Sequence, residues 1–296
     1  MINKQDGTSD CSCIFNEYKA AILTQALPYF QKYSGRIVVV KYGGNAMISD
    51  GLREAVMSDI VLLTLVGVKV VLVHGGGPEI NKTLTAMGIK PAFCGGLRVT
   101  DAETVQVVQM VLSGKTNKDL VALIQKLGGK AIGISGIDGA LLRCEKPLSL
   151  ELGFVGEPDE VNPAPILDIL HAGYIPIIAT IGADFAGQTY NINADTAASA
   201  IASALHAENL IVMTDIRGLM RDKNDPQSFI PHIGVDELQG LIDSGVIDGG
   251  MIPKVACCAD AVRMGVKRAV MIDGRIPHSI LLELFSDEGI GTLITG

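Results

Sequence analysis

Short β-branched runs that end in glycine, each followed by a helical stretch, constrain this chain more than any other feature. Residues 36–44 read RIVVVKYGG, residues 52–66 have helical spacing, and residues 68–73 form a second apolar run that ends in His74-Gly75-Gly76-Gly77. The alternation continues with helices predicted over 102–112 and 117–127, a strand over 131–134, a helix over 163–171, a strand over 175–179, a helix over 195–205 and a strand over 209–214. Helices over 235–244 and 253–264, a strand over 268–272 and a helix over 278–285 close the chain, and residues 143–161 read as a hairpin or an irregular excursion. Strands that alternate with helices give a mainly parallel sheet covered on both faces, a three-layer αβα sandwich. At 296 residues the chain has the length of two lobes or one large α/β unit.

Charge narrows the function classes. With 24 basic and 32 acidic residues the net charge is -8, and no long Lys/Arg block is present. That argues against a protein that gains its affinity by neutralising a nucleic-acid backbone or an anionic membrane. The longest apolar stretch, 60–68, is interrupted by Thr64 and Gly67 and falls short of the ~20 residues of a membrane span. The first twelve residues lack an apolar core or an Arg-rich amphipathic pattern, so a cytoplasmic location is expected, or a plastid stroma if a leader has been removed. Cys11, Cys13, Cys94, Cys144, Cys257 and Cys258 have neither disulfide-framework nor zinc spacing and read as idle or buried thiols.

Ahead of the first strand, Phe15, Tyr18, Ile22, Leu23, Ala26, Leu27 and Phe30 form an apolar stripe on a helix running to about Tyr33, with Pro28 expected to kink it. The stripe must pack on the body or on another subunit.

In an open parallel sheet, ligands sit beyond the carboxyl ends of the strands. Three turns stand there: Lys41-Tyr42-Gly43-Gly44, His74 to Gly77 with Pro78 at a helix start, and Asn191 to Asp195 before a small-residue helix. Consecutive glycines before a helix let backbone N–H groups approach an anion. Gly114-Lys115-Thr116 mimics a P-loop ending, but Gln109 stands where its first glycine is needed and the preceding segment reads as helix. Ile80 occupies the third-glycine position of a dinucleotide fingerprint, which leaves a nicotinamide oxidoreductase as a weak alternative.

KYGGNAM, VVLVHGGGPEIN, GLRVTD, VLSGKTNKDL, YNINADTAA, VMTDIRGL and DGGMIPKV occur in this order and resemble the amino acid kinase family, and within it the branch acting on N-acetyl-L-glutamate. The resemblance spans residues 15–292. GLRVTD and NINAD with GGMIPK mark that branch in combination, whereas K-x-G-G and HGGG are shared with kinases of other acidic substrates. It implies a carbamate kinase-like fold with an extra kinked N-terminal helix. The implied reaction is ATP- and Mg²⁺-dependent phosphorylation of the side-chain carboxylate of N-acetyl-L-glutamate, the second step of arginine biosynthesis.

By the resemblance, Lys41 and Lys254 stabilise the transferring phosphoryl group and Asp195 holds both lysines. Gly43, Gly44 and Gly76 present N–H groups to phosphate, Gly76 and Gly77 touch the acyl amino acid, Arg98 binds its α-carboxylate, and Asn191 binds its polar backbone groups. The implied organisation is an oligomerisation helix over 1–35, an N-lobe over 36–206 that binds the acyl amino acid and forms the dimer, and a C-lobe over 207–296. The C-lobe takes ATP near 214–219 and 251–254, and an arginine effector. Taken singly, the same residues have plainer readings: Arg98 a surface ion pair, Asp195 an N-cap, Lys41 an exposed charge and Asn191 a turn residue.

The chemistry suits the set. A carboxylate is already ionised at neutral pH, so an acyl phosphate forms without a general base. What the reaction needs is cancelled repulsion between two anions, which is electrostatic and positional work. A metal would be held mainly by phosphate oxygens and water.

The N-terminal helix and the ending RIPHSILLELFSDEGIGT resemble the arginine-inhibited, hexameric branch of the family, a trimer of dimers. That likeness makes Tyr18, His278, Glu283 and Gly289 effector candidates, although Tyr18 also fits a packing stripe and Glu283 a solvated helix face. In photosynthetic lineages this branch also binds the PII signalling protein. The chain departs from the family pattern at Gly95, where Asn usually precedes GLRVT, and at Asn45, where a small residue is usual. A non-catalytic arginine sensor of the same fold and a sister kinase for another amino acid remain as alternatives.

Overall fold

The computed structural model describes residues 9–47, 49–147, 152–222 and 225–296, with side chains from Tyr18 onward except at 45, 46 and 226. The side chains of Cys11, Cys13, Phe15 and Asn45 therefore lie outside the described residues.

The strands are β1 (Ile37–Tyr42), β2 (Lys69–His74), β3 (Phe93–Cys94), β4 (Leu97–Arg98), β5 (Ala131–Ser135), β6 (Leu142–Glu145), β7 (Val155–Val161), β8 (Ile175–Ala179), β9 (Ile181–Ala183), β10 (Thr189–Ile192), β11 (Asn209–Thr214), β12 (His232–Gly234), β13 (Arg268–Asp273) and β14 (Thr292–Thr295). The helices are α1 (Ser9–Tyr33), α2 (Asp50–Leu65), α3 (Gly77–Ala86), α4 (Ala102–Gln109), α5 (Asn117–Lys126), α6 (Ala164–His171), α7 (Ala194–Ala204), α8 (Leu238–Asp243), α9 (Met251–Arg263) and α10 (Ser279–Leu284).

Eight strands form the main sheet in the order β12-β14-β13-β11-β1-β2-β8-β5. The β13–β14 pair is antiparallel, and its other pairs are parallel. β1 lies between β2 and β11, with Val38 opposite both Val70 and Asn209. Side chains leave its two faces into separate cores. Val39 and Val71 pack with Ile201 of α7 and Val255 and Cys258 of α9, while Val38, Val40 and Leu72 pack with Ile60 of α2, Leu120 of α5 and Ile280 of α10. Burial on both sides explains why the strands read as unbroken apolar runs rather than alternating ones.

The segment read as a hairpin or excursion is a hairpin: β6 and β7 pair antiparallel and close a small barrel with β9 and β10. The short strands β12 and β14 escape sequence reading, because three or four residues give too little periodicity. The helix expected over 235–244 is shorter, beginning at Leu238. No helix among the described residues is long and apolar enough to cross a membrane.

Pro28 lies inside α1 as expected. The last turns of α1 meet the body, where Tyr29 and Phe30 contact the Phe285 ring at centroid distances of 6.4 and 5.0 Å and Tyr33 is buried. Tyr18, Ile22, Leu23 and Leu27 remain exposed.

The two helices expected over 102–112 and 117–127 are one continuous rod, because Met110–Thr116 passes between α4 and α5 as a π-helix. The false P-loop ending therefore lies inside a helix. At its end Asn117, fully buried, ties the rod to the sheet: Nδ2 donates to the carbonyls of Ile177 (2.9 Å) and Ile134 (3.2 Å) and to His74 Nε2 (3.1 Å). Replacing Asn117 with Ala is expected to lower the unfolding free energy by about 2–3 kcal/mol, since buried polar partners lose their bonds. Urea unfolding checks this, and an unshifted midpoint would remove Asn117 from the framework.

Candidate functional site

Because β1 and β2 are parallel neighbours, their glycine turns lie side by side. Tyr42 is opposite His74, and the Gly75 N–H donates to the Tyr42 carbonyl at 3.0 Å. α3 begins immediately at Gly77, with Pro78 in its first turn, where the missing N–H costs no helical bond. Gly76 has no room for a side chain: a Cβ there would lie 2.5 Å from Leu112 Cδ2 and 3.3 Å from Thr116 Oγ1 of the π-helix. The π-helix thus closes against the glycine turn, and any larger residue at 76 would have to displace it.

β10 supplies Asn191 and leads into α7, whose N-cap is Asn193. The Asn193 Oδ1 accepts the N–H groups of Asp195 (2.9 Å) and Thr196 (3.2 Å). Asp195 is therefore not the cap. It stands in the first turn of α7, where the helix dipole favours a negative charge. Its carboxylate is buried between two cations, with Lys41 Nζ 2.8 Å from Oδ1 and Lys254 Nζ 2.7 Å from Oδ2. Burial pushes the Asp195 carboxyl upward, but the two ammonium groups outweigh it and hold the group below the ordinary range. Lys41 is buried rather than an exposed strand-end charge.

These groups border a cavity of about 320 Å³ that also takes in Gly43, Gly44, Gly76, Gly77, Arg98 and Asn191. Arg98 is buried too, 7% exposed, rather than placed at the surface. Its Nη2 donates to Asn81 Oδ1 at 2.6 Å and to the Gly77 carbonyl at 3.4 Å, and desolvation lowers its pKa. The Arg98 carbonyl accepts from Thr100 Oγ1 (2.9 Å), which accepts in turn from Asn191 Nδ2 (3.2 Å), so the β4 edge and β10 are linked. Gly95 and Gly96, with φ +58 and +82, turn the chain from β3 to β4. Two successive positive φ values favour Gly or Asn, so glycine at 95 keeps the turn.

His74 sits at the base of the glycine turn, fully buried and neutral. Desolvation pushes it down to about 4. Its Nδ1–H donates to the Gly75 carbonyl at 2.9 Å while Nε2 accepts from Asn117.

A second cavity, of about 520 Å³, is lined by Asp215, Ile216, Gly218–Met220, Val246–Asp248, Gly250, Met251 and Lys254. It is the larger and less polar of the two, and Lys254 borders both. It coincides with the region expected to take a nucleotide. Among the described residues, no cluster of three or more His, Cys, Asp or Glu is placed to hold a metal ion.

The effector candidates do not converge. Glu283 and Gly289 share a third cavity of about 180 Å³ with Lys32, His232 and Arg268, where Glu283 Oε2 accepts the N–H groups of Ile290 (2.8 Å) and Gly291 (3.0 Å). His278 lies outside that lining, with Nδ1 2.6 Å from the buried Asp59 Oδ1, and Tyr18 is exposed on α1. Glu283 is thus engaged with backbone rather than free on a solvated face. Among the described cysteines, Cys144 and Cys258 are buried, Cys257 is partly buried and Cys94 exposed, all as free thiols.

Sequence reasoning missed several lining residues. Thr180, Leu112, Phe93 and Asn193 border the first cavity, and Val246 and Ile247 the second. Phe93 and Arg98 on either side of a Gly-Gly pair are the available hairpin signal, and Val246-Ile247 immediately precedes DGGMIPK. Leu112 lies in the motif VLSGKTNKDL without being singled out, and nothing local marks Thr180, which arrives through the tertiary packing.

Residues 36–273 match the model of the amino acid kinase family. The acetylglutamate kinase of Heliobacterium modesticaldum is 51% identical over 287 residues, covering 93% of this chain and 97% of the relative. That of Clostridioides difficile is 52% identical over 281 residues, covering 95% and 98%. Among solved structures, N-acetylglutamate synthase from Neisseria gonorrhoeae, complexed with coenzyme A and N-acetyl-glutamate, superposes with a TM-score of 0.82 at 25% identity. The match covers 94% of this chain and 63% of that one. Carbamate kinase from Giardia lamblia superposes with a TM-score of 0.64 at 19% identity, covering 89% and 99%, which is a likeness of fold.

The depressed His74 sets a pH dependence of stability. The unfolded imidazole takes up a proton near the ordinary value of 6.5 that the folded one refuses until about 4. His74 therefore contributes full stability above about pH 6.5 and loses it as pH falls toward 4, on the order of 3 kcal/mol in total. Asp59, raised by burial to about 6, acts in the opposite sense, since the folded chain gains a proton there first. Urea midpoints of the chain minus those of a His74→Gln variant isolate the histidine: the difference should shrink from pH 7 to pH 5. A constant difference would rule out a neutral buried imidazole.

Proposed function

The chain belongs to the amino acid kinase family, and from that membership we propose how its site performs a kinase reaction on N-acetyl-L-glutamate. The enzyme phosphorylates the side-chain carboxylate of N-acetyl-L-glutamate with ATP to give N-acetyl-L-glutamyl 5-phosphate, a step of arginine biosynthesis, as its acetylglutamate kinase relatives' names indicate. The single observation that carries the mechanism is Asp195 between Lys41 and Lys254 at the border of two cavities.

In this reading the acyl amino acid occupies the first cavity, with its α-carboxylate on Arg98, its amide groups near Asn191 and its reacting carboxylate over Gly76 and Gly77. ATP enters the second cavity, and its γ-phosphoryl group reaches Lys254, Lys41 and the N–H groups of Gly43, Gly44 and Gly76. The substrate oxygen forms a bond to the γ-phosphorus as the bond to the β-bridging oxygen breaks, and ADP leaves with that electron pair. The two lysines cancel the repulsion between the approaching anions and spread the charge on the equatorial oxygens. Asp195 keeps both ammonium groups aimed into the gap.

With both oxygens of Asp195 engaged by lysines, the first cavity offers cations and N–H groups to phosphate, and this suits a Mg²⁺ carried by ATP oxygens and water. Such an ion supplies further neutralisation of phosphate charge. The intact Lys41–Asp195–Lys254 set favours an enzyme over a sensor that has lost activity.

We assign residues 36–206 to acyl-amino-acid binding and dimer formation, 207–296 to nucleotide binding, and 1–35 to oligomerisation. The exposed Tyr18, Ile22, Leu23 and Leu27 support a helix that covers its stripe on a second copy, in a hexamer. Arginine, as feedback inhibitor, is assigned to the cavity of Glu283 and Gly289, whose carboxylate suits a guanidinium. The location is cytoplasmic.

Hydroxamate trapping with N-acetyl-L-glutamate, and with glutamate, aspartate and carbamate in parallel, tests the substrate; turnover of glutamate in its place would move the chain to a sister kinase. Lys254→Ala should lower kcat by at least about 10²-fold, the scale of one lost electrostatic stabiliser, and near-normal turnover would sink its role. Removing the residues before Arg36 should abolish both the hexamer and arginine inhibition, read by light scattering and by assay. Survival of both would contradict the assignment.

A further inference from the structure

The guanidinium of Arg98 is held by Asn81, the Gly77 carbonyl and the Phe93 ring, while its other terminal nitrogen has no partner. Nη2 donates to Asn81 Oδ1 at 2.6 Å, the group lies over the Phe93 ring at 4.8 Å, and Nη1 is buried with no hydrogen-bond partner. Arginine only donates hydrogen bonds, so the Asn81 amide must present its oxygen to it. Anchoring one terminal nitrogen of a rigid planar fork fixes the other, and the ring beneath prevents the fork from turning edge-on. A buried donor without a partner is costly. It persists where the surrounding structure holds it and where a ligand is to complete it.

We propose that Asn81 is a positioning residue for the acyl-amino-acid site, fixing the orientation in which the Arg98 guanidinium meets the substrate's carboxylate. The inference rests on the reading of Arg98 given above. Asn81 belongs to α3, the same helix that begins at the glycine turn, so one rigid element places both the phosphate-facing N–H groups and the carboxylate-binding arginine. Asn81 itself need not touch substrate.

The test is a double-mutant cycle on the full chain. Asn81 is half-buried in a helix, where alanine is well tolerated, so Asn81→Ala is expected to fold. It should raise KM for N-acetyl-L-glutamate about tenfold, with kcat and KM for ATP changed less than about twofold. In an Arg98→Ala background the same substitution should change KM by less than about twofold, because a residue acting through Arg98 has nothing left to position. An unaltered KM, or an equal loss in both backgrounds, overturns the proposal. A second readout needs no turnover. In arginine side-chain ¹⁵N spectra of the unliganded protein, rotation of the Arg98 guanidinium should be slow in the parent chain and fast in Asn81→Ala; equal rates overturn the proposal. Failure of the parent chain to phosphorylate N-acetyl-L-glutamate would count against the functional reading and leave the spectroscopic comparison decisive for Asn81.

Discussion

A buried carboxylate held between two ammonium groups is the constraint around which this molecule is arranged. Lys41 comes from the end of β1, Asp195 from the first turn of α7 and Lys254 from the first turn of α9. Removing either cation would leave part of a buried charge uncompensated, which folded proteins tolerate poorly. The three elements must therefore keep their spacing. α7 and α9 are tied together by Ser199 Oγ, which donates to the Cys257 carbonyl at 2.9 Å, and both helices bury alanines in the same core, Ala197, Ala198 and Ala202 from one and Ala259 and Ala261 from the other.

The electrostatics explain how a chain of charge -8 handles anionic substrates. Acidic residues lie mostly at the surface, while Lys41 and Arg98 are buried at the cavity and Lys254 stands at its mouth. Low dielectric surroundings magnify those few cations. His74, the one imidazole at the turn, is kept neutral, so it serves as a structural strut between Gly75 and Asn117 rather than as a titrating group. A reaction that starts from an ionised carboxylate has no task for a base there.

The strand–helix alternation, the αβα layering and the positions of the glycine turns were legible because buried parallel strands and helix starts leave local marks. β1, β2, β8 and β11 fall within two residues of their expected bounds for that reason. Lys41, Asp195 and Lys254 were legible through motif resemblance. The plain reading of Lys41 as an exposed charge fails on burial, which no local pattern reports, and that of Asp195 as an N-cap fails because Asn193 holds that position. Tyr18 and His278 show the reverse: each carries a motif, yet one is exposed on α1 and the other is paired with Asp59, apart from Glu283 and Gly289. Asn81 ends the motif VVLVHGGGPEIN, but its contact with Arg98 was not legible there, because the guanidinium arrives from a hairpin 17 residues away.

The π-helical stretch between α4 and α5 has a further geometric effect. An α-helix turns about 100° per residue, and each π turn holds one residue more than an α turn, so the phase of the rod after Thr116 is displaced from its phase before Met110. Leu112 and Thr116 of this stretch close on Gly76, and Asn117, the next residue, points at the sheet carbonyls. The local unwinding works as an angular offset, letting one continuous rod serve the phosphate turn with one stretch and brace the sheet with the next.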